Sequence, residues 1–440
     1  MLQLAFVLIG PQAFRSRWFV IVIAGGILAL LVVLLPTLDL FAGLLGPAQV
    51  ALGLLFVAHG LLALPALAEG GFSSRRLLDL AKAGGFLLLG ALLLVPSLWS
   101  PLALALLFGA AFILDGLTRA ATAILVRFAG WTIAVGCGLL EIVFAVVIVA
   151  GWPLPRTEAI PLGVGLLLGL SAWLMIQLGL MLRTLEDEAA ILNLPIFAGR
   201  GWYEHAPVLI GEDPPMAPDQ PPLTVHIWTP IGSADKPERL LLIDRYIAAV
   251  DADGEVSTGH SALEVAPDVY ISHYPSIDLK ASAGAAVLHS GAHNNMTGSF
   301  QPSYAAECAD WCEADAHVVI RHYSPRRLRA FWIGYRQDST YNLTARNCST
   351  VVAAALDAAL ESVLACRRPW LGLLKLLLNP DLWAAAWVRS HAISGTWTPG
   401  LVLDYARALS RVVDQRDMSW GERLRGFLSR APRSGKAVSL

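Results

Sequence analysis

Cys348 is the residue around which chemistry can be built. It stands in Ala345-Arg346-Asn347-Cys348-Ser349-Thr350, and an apolar, alanine-rich run from Val351 to Leu360 follows. Asn347 suits an N-cap, because its side-chain oxygen can accept a free backbone N–H of the first helical turn. The run behind it has the composition of a helix. A cysteine there sits at the positive end of the helix dipole, where a thiol loses its proton more readily, and the thiolate is the nucleophile. Such a nucleophile needs a base in hydrogen-bond reach and a third group to orient the base. His260 opens Gly259-His260-Ser261-Ala262-Leu263-Glu264-Val265, and His273 stands in Val269-Tyr270-Ile271-Ser272-His273-Tyr274-Pro275. Both segments read as strands joined by the turn Ala266-Pro267-Asp268, and such a hairpin can set His260 and His273 side by side. His260 is the expected base and His273 the expected orienting group, with Asp278 as its competitor.

The chemistry these residues suit is acyl transfer. Cys348 attacks a carbonyl, His260 takes the thiol proton and returns it to the leaving group, and backbone N–H groups at the helix start hold the oxyanion. A metal is the rival reading for Cys308-Ala-Asp-Trp-Cys312 with His317 and His322. The spacing lies in the zinc range, yet the segment runs from helix into strand, and strand alternation does not converge four ligands. No metal and no cofactor is expected. His289-Ser-Gly-Ala-His293 lies in a polar stretch and reads as a mobile loop beside the site, able to set specificity. The five cysteines, 137, 308, 312, 348 and 366, form no disulfide framework and read as free thiols.

These residues need a scaffold. Leu223-Thr-Val-His-Ile-Trp228 alternates like a strand, 240–250 is a second apolar element, and 251–254 is a turn. A later strand is expected over 316–322, then a helix over 324–338 with Ser324 as N-cap and Pro325 at its first position. Gly-His-Ser-Ala-Leu-Glu-Val, Tyr-Ile-Ser-His-Tyr-Pro and Tyr-Asn-Leu-Thr-Ala-Arg-Asn-Cys-Ser-Thr, taken in this order, resemble the circularly permuted NlpC/P60 papain-like superfamily, which includes the lecithin:retinol acyltransferase-like proteins. The resemblance covers about 223–365. It implies an α+β papain-like fold with His260 as base, His273 as orienting residue and Cys348 as nucleophile.

The first part of the chain is of another kind. Hydrophobic residues make up 56% of the 440 and charged ones 15%, which is too apolar for an ordinary soluble protein. Six apolar stretches, at 18–36, 44–68, 78–96, 100–118, 131–151 and 160–182, approach or exceed the length that crosses a bilayer as a helix. Arg15, Arg17, Arg75, Arg76, Lys82, Arg119, Arg127 and Arg183 fall on one side of these spans, and only Arg156 on the other. That bias predicts a multi-pass protein of the bacterial inner (plasma) membrane with both termini cytoplasmic. The apolar runs closing at Pro36, Pro96 and Pro153 mark three copies of a two-helix hairpin, whose partner helices carry Gly53…Gly60, Gly109…Gly116 and Gly169…Gly179. The rhythm resembles the HdeD/DUF308 family of small bacterial membrane proteins, over about 15–185, and the resemblance implies a link to stress resistance. Inside the spans stand His59, Asp115 and Glu141. A carboxylate there is either a proton relay or a protonated packing group.

The expected fold is therefore an all-α six-helix transmembrane bundle of three two-helix repeats (1–185), a Pro-rich linker (186–222), an α+β papain-like domain (223–368), and a helical extension with a disordered basic tail (369–440). Trp370, Trp383, Trp387 and Trp397 in the extension suit either a membrane interface or packing on the papain-like core. The net charge of −2, unevenly spread, gives no nucleic-acid footprint. The expected partners are the lipid bilayer, a membrane-associated protein, peptide or lipid substrate, and a second copy through the membrane domain. The expected activity is that of a cytoplasmic-facing cysteine hydrolase (peptidase or amidase). A lipid acyltransferase or thioesterase with the same Cys-His machinery is the alternative. A stress-resistance protein whose papain-like domain only binds is the third reading.

Overall fold

A computed structural model describes residues 1–37 apart from 11, scattered positions between 46 and 94, 99–184 apart from 129, 217–230 apart from 218, 249–250, 256–276 and 288–414. The expected spans at 44–68 and 78–96 lie largely outside these residues. So do His59, Asp278, most of the 240–250 element, most of the linker and the basic tail. The chain forms two compact units, one of 22–118, 137–176 and 417–440, the other of 1–21, 119–136 and 177–416. Residues 1–21 thus fold with the sheet-containing region, although the boundary expected from sequence placed them with the spans.

Among the described residues, the continuous helices of the first half are α1 (Leu2–Ile9), α2 (Gln12–Arg15), α3 (Trp18–Thr37), α4 (Trp99–Val126), α5 (Trp131–Ala150) and α6 (Arg156–Thr184). Three of them contain segments long and apolar enough to cross a membrane: Leu104–Val126, Trp131–Ala150 and Leu162–Arg183. Asp115 lies on α4 and Glu141 on α5. One expected boundary moves. The sequence places Arg119 in a connection after a span ending at 118, but α4 continues to Val126. Hydropathy falls at Arg119, whereas the backbone ladder does not, because the alanines and leucine that follow favour helix. α4 packs on α5 through glycine: a Cβ on Gly116 would lie 2.5 Å from the Gly138 carbonyl oxygen. That close approach is how helices associate without a hydrophobic driving force.

The second unit is built on a four-stranded antiparallel sheet. Its strands are β1 (Leu223–Trp228), β4 (His260–Val265), β5 (Val269–Ile271) and β8 (Ala316–Ile320), in the order β5-β4-β1-β8. β2 (Ala249–Val250) pairs with β3 (Val256–Ser257). β6 (His273–Pro275), β7 (Met296–Phe300) and β9 (Thr340–Tyr341) form a three-stranded sheet. The expected strand 269–275 is therefore divided at Ser272 between two sheets. The helices are α7 (Tyr304–Asp310), α8 (Pro325–Tyr335), α9 (Cys348–Leu360), α10 (Pro369–Leu377), α11 (Pro380–Ser394) and α12 (Pro399–Asp414). Ser324 caps α8 by accepting from the Arg327 N–H, with Pro325 next to it.

The register fixes the two faces of the large sheet. Trp228 opposes His260 and His226 opposes Ala262, so these four share a face. Trp228, Ala262, Tyr270 and Ala314 form its buried cluster, with Tyr304 of α7 against it. Ile227 opposes Ser261 and Val225 opposes Leu263 on the other face. α9 packs there on β4, and α12 on β1 and β8. All residues of α9 are buried, so its alanines let it run through the middle of the unit. α1 joins the same core: the Ser362 N–H donates to the Val7 carbonyl at 2.9 Å and the Leu364 N–H to the Leu8 carbonyl at 2.8 Å.

Candidate active site

Cys348 occupies the first turn of α9, behind the expected cap. The Asn347 side-chain oxygen accepts the Thr350 N–H at 2.7 Å, and its Nδ2 donates to the Leu343 carbonyl at 2.7 Å and the Trp397 carbonyl at 3.1 Å. Arg346 fixes the approach to the cap. Its guanidinium donates to the Thr340 and Tyr335 carbonyls at 2.8 and 3.0 Å and lies 4.0 Å over the Tyr335 ring. The Cys348 thiol is buried, and burial pushes its pKa up. The Ser349 hydroxyl, the Ser261 N–H and the Ser261 hydroxyl pull the other way. Ser349 Oγ lies 3.8 Å from the sulfur and 3.1 Å from Ser261 Oγ. The β4–β5 ladder ends at Leu263–Ile271, so the Ser261 peptide stands beyond the last rung.

His260 precedes that peptide. Gly259 before it has φ +68, and a Cβ there would fall 2.3 Å from the Trp228 carbonyl oxygen, so only glycine delivers the chain to the strand at this point. The imidazole stacks on Tyr274 at 4.0 Å. Its Nε2 lies 2.9 Å from Ser272 Oγ and 3.2 Å from Glu307 Oε1. Glu307, itself buried, also accepts from the Tyr274 hydroxyl at 2.6 Å, the Ser272 hydroxyl at 3.3 Å and the Tyr270 hydroxyl. The Ser272 hydroxyl gives its one proton to Glu307, so Nε2 carries the proton toward Ser272 Oγ and Nδ1 keeps its lone pair. Nδ1 has no hydrogen-bond partner among the described residues. Burial, with a smaller Coulombic push from His273, lowers the imidazole pKa to about 3, so the ring is neutral near pH 7.

His273 does not orient His260. The β4–β5 register pairs Glu264 with Tyr270, so continuing the alternation puts Ser272 and Tyr274, not His273, on the His260 face. His273 is a fully buried core residue. Its Nδ1 lies 3.0 Å from the Tyr335 hydroxyl, its Nε2 donates to the Ser339 carbonyl at 3.3 Å, and its ring meets Tyr341 edge-on at 5.0 Å. The side chains that meet the His260 ring nitrogen are Glu307 and Ser272. Ser272 was within reach of sequence reasoning through strand phase alone. Glu307 carried no such signal, because only the packing of α7 on the sheet brings it there.

No hydrogen bond joins the thiol to the imidazole; what links them is Ser261, which touches the thiol and follows His260 in the chain. Strand alternation sends the His260 ring to the α7 face and Ser261 to the α9 face, so one peptide separates the two groups. The Cys348 N–H is directed at the Tyr341 hydroxyl. The residues weighed for a metal diverge. The Cys312 carbonyl accepts from Trp228 Nε1 at 2.8 Å, His317 Nδ1 lies 3.0 Å from His226 Nδ1, and His322 Nδ1 lies 2.9 Å from Asp414. No cluster of three ligating side chains suited to a metal occurs among the described residues. The His289 segment borders the Cys348 loop, with Ser290 Oγ 2.9 Å from Thr344 Oγ1.

Compared with family models, with curated proteins and with solved structures, the chain has no match.

Proposed function

We propose that the chain is a membrane-anchored cysteine hydrolase in which Cys348 is the nucleophile, His260 the base, and Glu307 with Ser272 the orienting pair. One observation carries this reading: His260 is held through Nε2 by an acid and a hydroxyl, with Nδ1 left unpartnered among the described residues. It does so one residue before the Ser261 groups that lean on a thiol at a capped helix N-terminus. An imidazole fixed at one nitrogen and open at the other is what a general base requires.

In the resting site both groups are neutral. For the reaction the Cys348 side chain turns past the Ser261 peptide toward Nδ1 of His260, whose ring stays held through Nε2 by Ser272 and Glu307. The thiol proton then passes to Nδ1 as sulfur attacks the carbonyl, and His260 returns it to the leaving group. Water releases the acyl group from the thioester in a second, similar cycle. The Cys348 N–H and the Tyr341 hydroxyl, which lie together at the start of α9, are the proposed oxyanion donors. Peptides or amides are the first choice of substrate, and acyl transfer to or from lipids the second.

The spans form an HdeD-like six-helix anchor in the bacterial inner membrane, with both ends of the chain cytoplasmic. Eight basic residues against one support this orientation. Peptidoglycan is then on the wrong side, and substrates come from the inner leaflet or its surroundings.

One observation favours a different reading, a papain-like domain that only binds. The thiol is buried, and no hydrogen bond joins it to the imidazole. Alkylation with iodoacetamide separates the two. In an enzyme Cys348 reacts faster than Cys137, Cys308, Cys312 and Cys366, and His260→Ala slows it. Labelling of Cys348 that is indifferent to His260→Ala supports binding alone.

A further inference from the structure

α10 and α11 form a hairpin that is apolar on both sides. Its inner side supplies Leu373, Leu376, Leu382, Ala385 and Val388 to the core of the unit, all buried. Its outer side presents Leu371, Leu374, Leu378, Trp383 and Trp387, each between 44% and 62% exposed. Leu371 and Leu374 of α10 and Leu378 at its C-cap are spaced by three and four residues, and the two tryptophans of α11 by four, so each set makes a stripe along its helix. A helix that is apolar all round belongs in a core or against lipid, and here, among the described residues, only one side has a protein partner.

The ends of the hairpin say what covers the other side. At the start of α10, Trp370 packs edge-on against Phe14, with ring centroids 5.1 Å apart. Phe14 lies four residues before Trp18, where the apolar helix α3 begins. Beyond the end of α11, a Cβ on Gly395 would lie 3.0 Å from the Thr122 side chain. Thr122 is inside the membrane-length segment Leu104–Val126. Trp387 is two turns upstream of that contact, roughly 12 Å along the helix. The hairpin is thus pinned at both ends beside residues of apolar helices.

Its chemistry agrees. The exposed positions of α10 and α11 include Lys375 and His391, Arg367 and Arg368 stand exposed just before α10, and none of the exposed positions is a carboxylate. Asp381 is engaged by Arg411 at 2.6 Å. Trp383 Nε1 donates to the Leu377 carbonyl at 2.8 Å, so its ring can leave water without losing a hydrogen bond. We infer that the α10–α11 hairpin lies in the headgroup region of an anionic bilayer, with Leu371, Leu374, Leu378, Trp383 and Trp387 in contact with lipid. Tryptophan, leucine and flanking cations on one surface are the composition that such an interface favours. The catalytic reading plays no part in this inference.

Site-directed spin labelling of the full chain, reconstituted in bilayers of phosphatidylethanolamine and phosphatidylglycerol, tests it. The native cysteines are replaced by serine, and one cysteine is introduced by Leu374→Cys, Trp387→Cys or, as a control on exposed Arg407 of α12, Arg407→Cys. At 374 and 387, collisions with oxygen should exceed those with a water-soluble nickel chelate several-fold, and at 407 the order should reverse. Nickel access at 374 and 387 would place the hairpin in water. Exclusion of both reagents would mean that protein, such as a second copy of the chain, covers it. Either result overturns the inference. A measurement on the unsubstituted chain guards against misfolded variants: a photoactivatable diazirine phospholipid should label peptides from 369–394, and adducts confined to α3–α6 would also overturn it.

Discussion

The four side chains His260, Ser272, Glu307 and Cys348 divide the labour of the proposed site, and each has its own signature. His260→Ala should lower turnover by about 10²–10⁴, the usual worth of a general base. Glu307→Gln keeps the shape but removes the charge that fixes the Nε2 proton, and should lower turnover by about 10-fold or more. His273→Gln should leave turnover within a few-fold and lower the melting temperature instead, because it removes the Tyr335 and Ser339 contacts from the core. Comparing kcat and melting temperature across the three variants separates the orienting role of Glu307 from that of His273. The buried histidines also predict a pH dependence. Burial lowers His260 to about 3 and His226 and His273 to about 4, against an ordinary 6.5. The unfolded chain therefore binds protons that the folded one refuses, and stability is fully present above pH 6.5 and falls as pH drops toward 3 to 4. Denaturant melts of the full chain across that range should show the slope, and His260→Gln should make it shallower. At this scale Asn347 and Cys348 were legible because a cap and its helix are local in sequence. The third group was not, because a shift of one residue in strand phase exchanges His273 for Ser272.

Elements position those residues, and their local rules carry measurable weight. Asn347→Ala removes the cap of α9 and four further hydrogen-bond contacts of the Asn347 side chain, and should cost about 2 kcal/mol of unfolding free energy in a denaturant melt. The middle of α9 is tied to α11 and α12 through Asp357, which meets Arg389 at 2.9 Å and the Tyr405 hydroxyl, all buried. Arg389→Leu leaves that carboxylate uncompensated and should cost about 3–5 kcal/mol by the same assay, far more than an exposed ion pair such as Arg329–Asp268. Strands β1, β4 and β8, the Ser324 and Asn347 caps and the helices of the C-terminal extension follow from period and capping residues. Two features do not. The break at Ser272, which sends β6 to a different sheet, is set by where β7 lies. α1 is eight residues, seven of them apolar, with no partner in sequence, and only its docking on the Ser362–Leu364 backbone makes it part of this core.

The whole chain joins apolar helices to a sheet-bearing unit, and its division into compact units does not follow sequence order. Residues 1–21, 119–136 and 177–184 cluster with the sheet although all three neighbour membrane-length or apolar helices. Composition reads such stretches as flanks of spans, and long-range packing assigns them elsewhere. The glycine contact of α4 with α5 is a property of the other unit. Gly116→Leu drives a side chain into the Gly138 carbonyl and should lower the yield and thermal stability of detergent-solubilised protein, while Gly136→Ala, with open space around it, should not.

The central claim is that a thiol at Cys348 and an imidazole at His260 act together on a carbonyl. Acid quenching of membranes that contain the full chain, followed by mass spectrometry of the Cys348 peptide, tests it most directly. The account predicts an acyl group on Cys348 in the natural chain and its loss in His260→Ala, with His273→Gln still carrying it. A Cys348 that never bears an acyl group, or bears one equally without His260, would contradict the account.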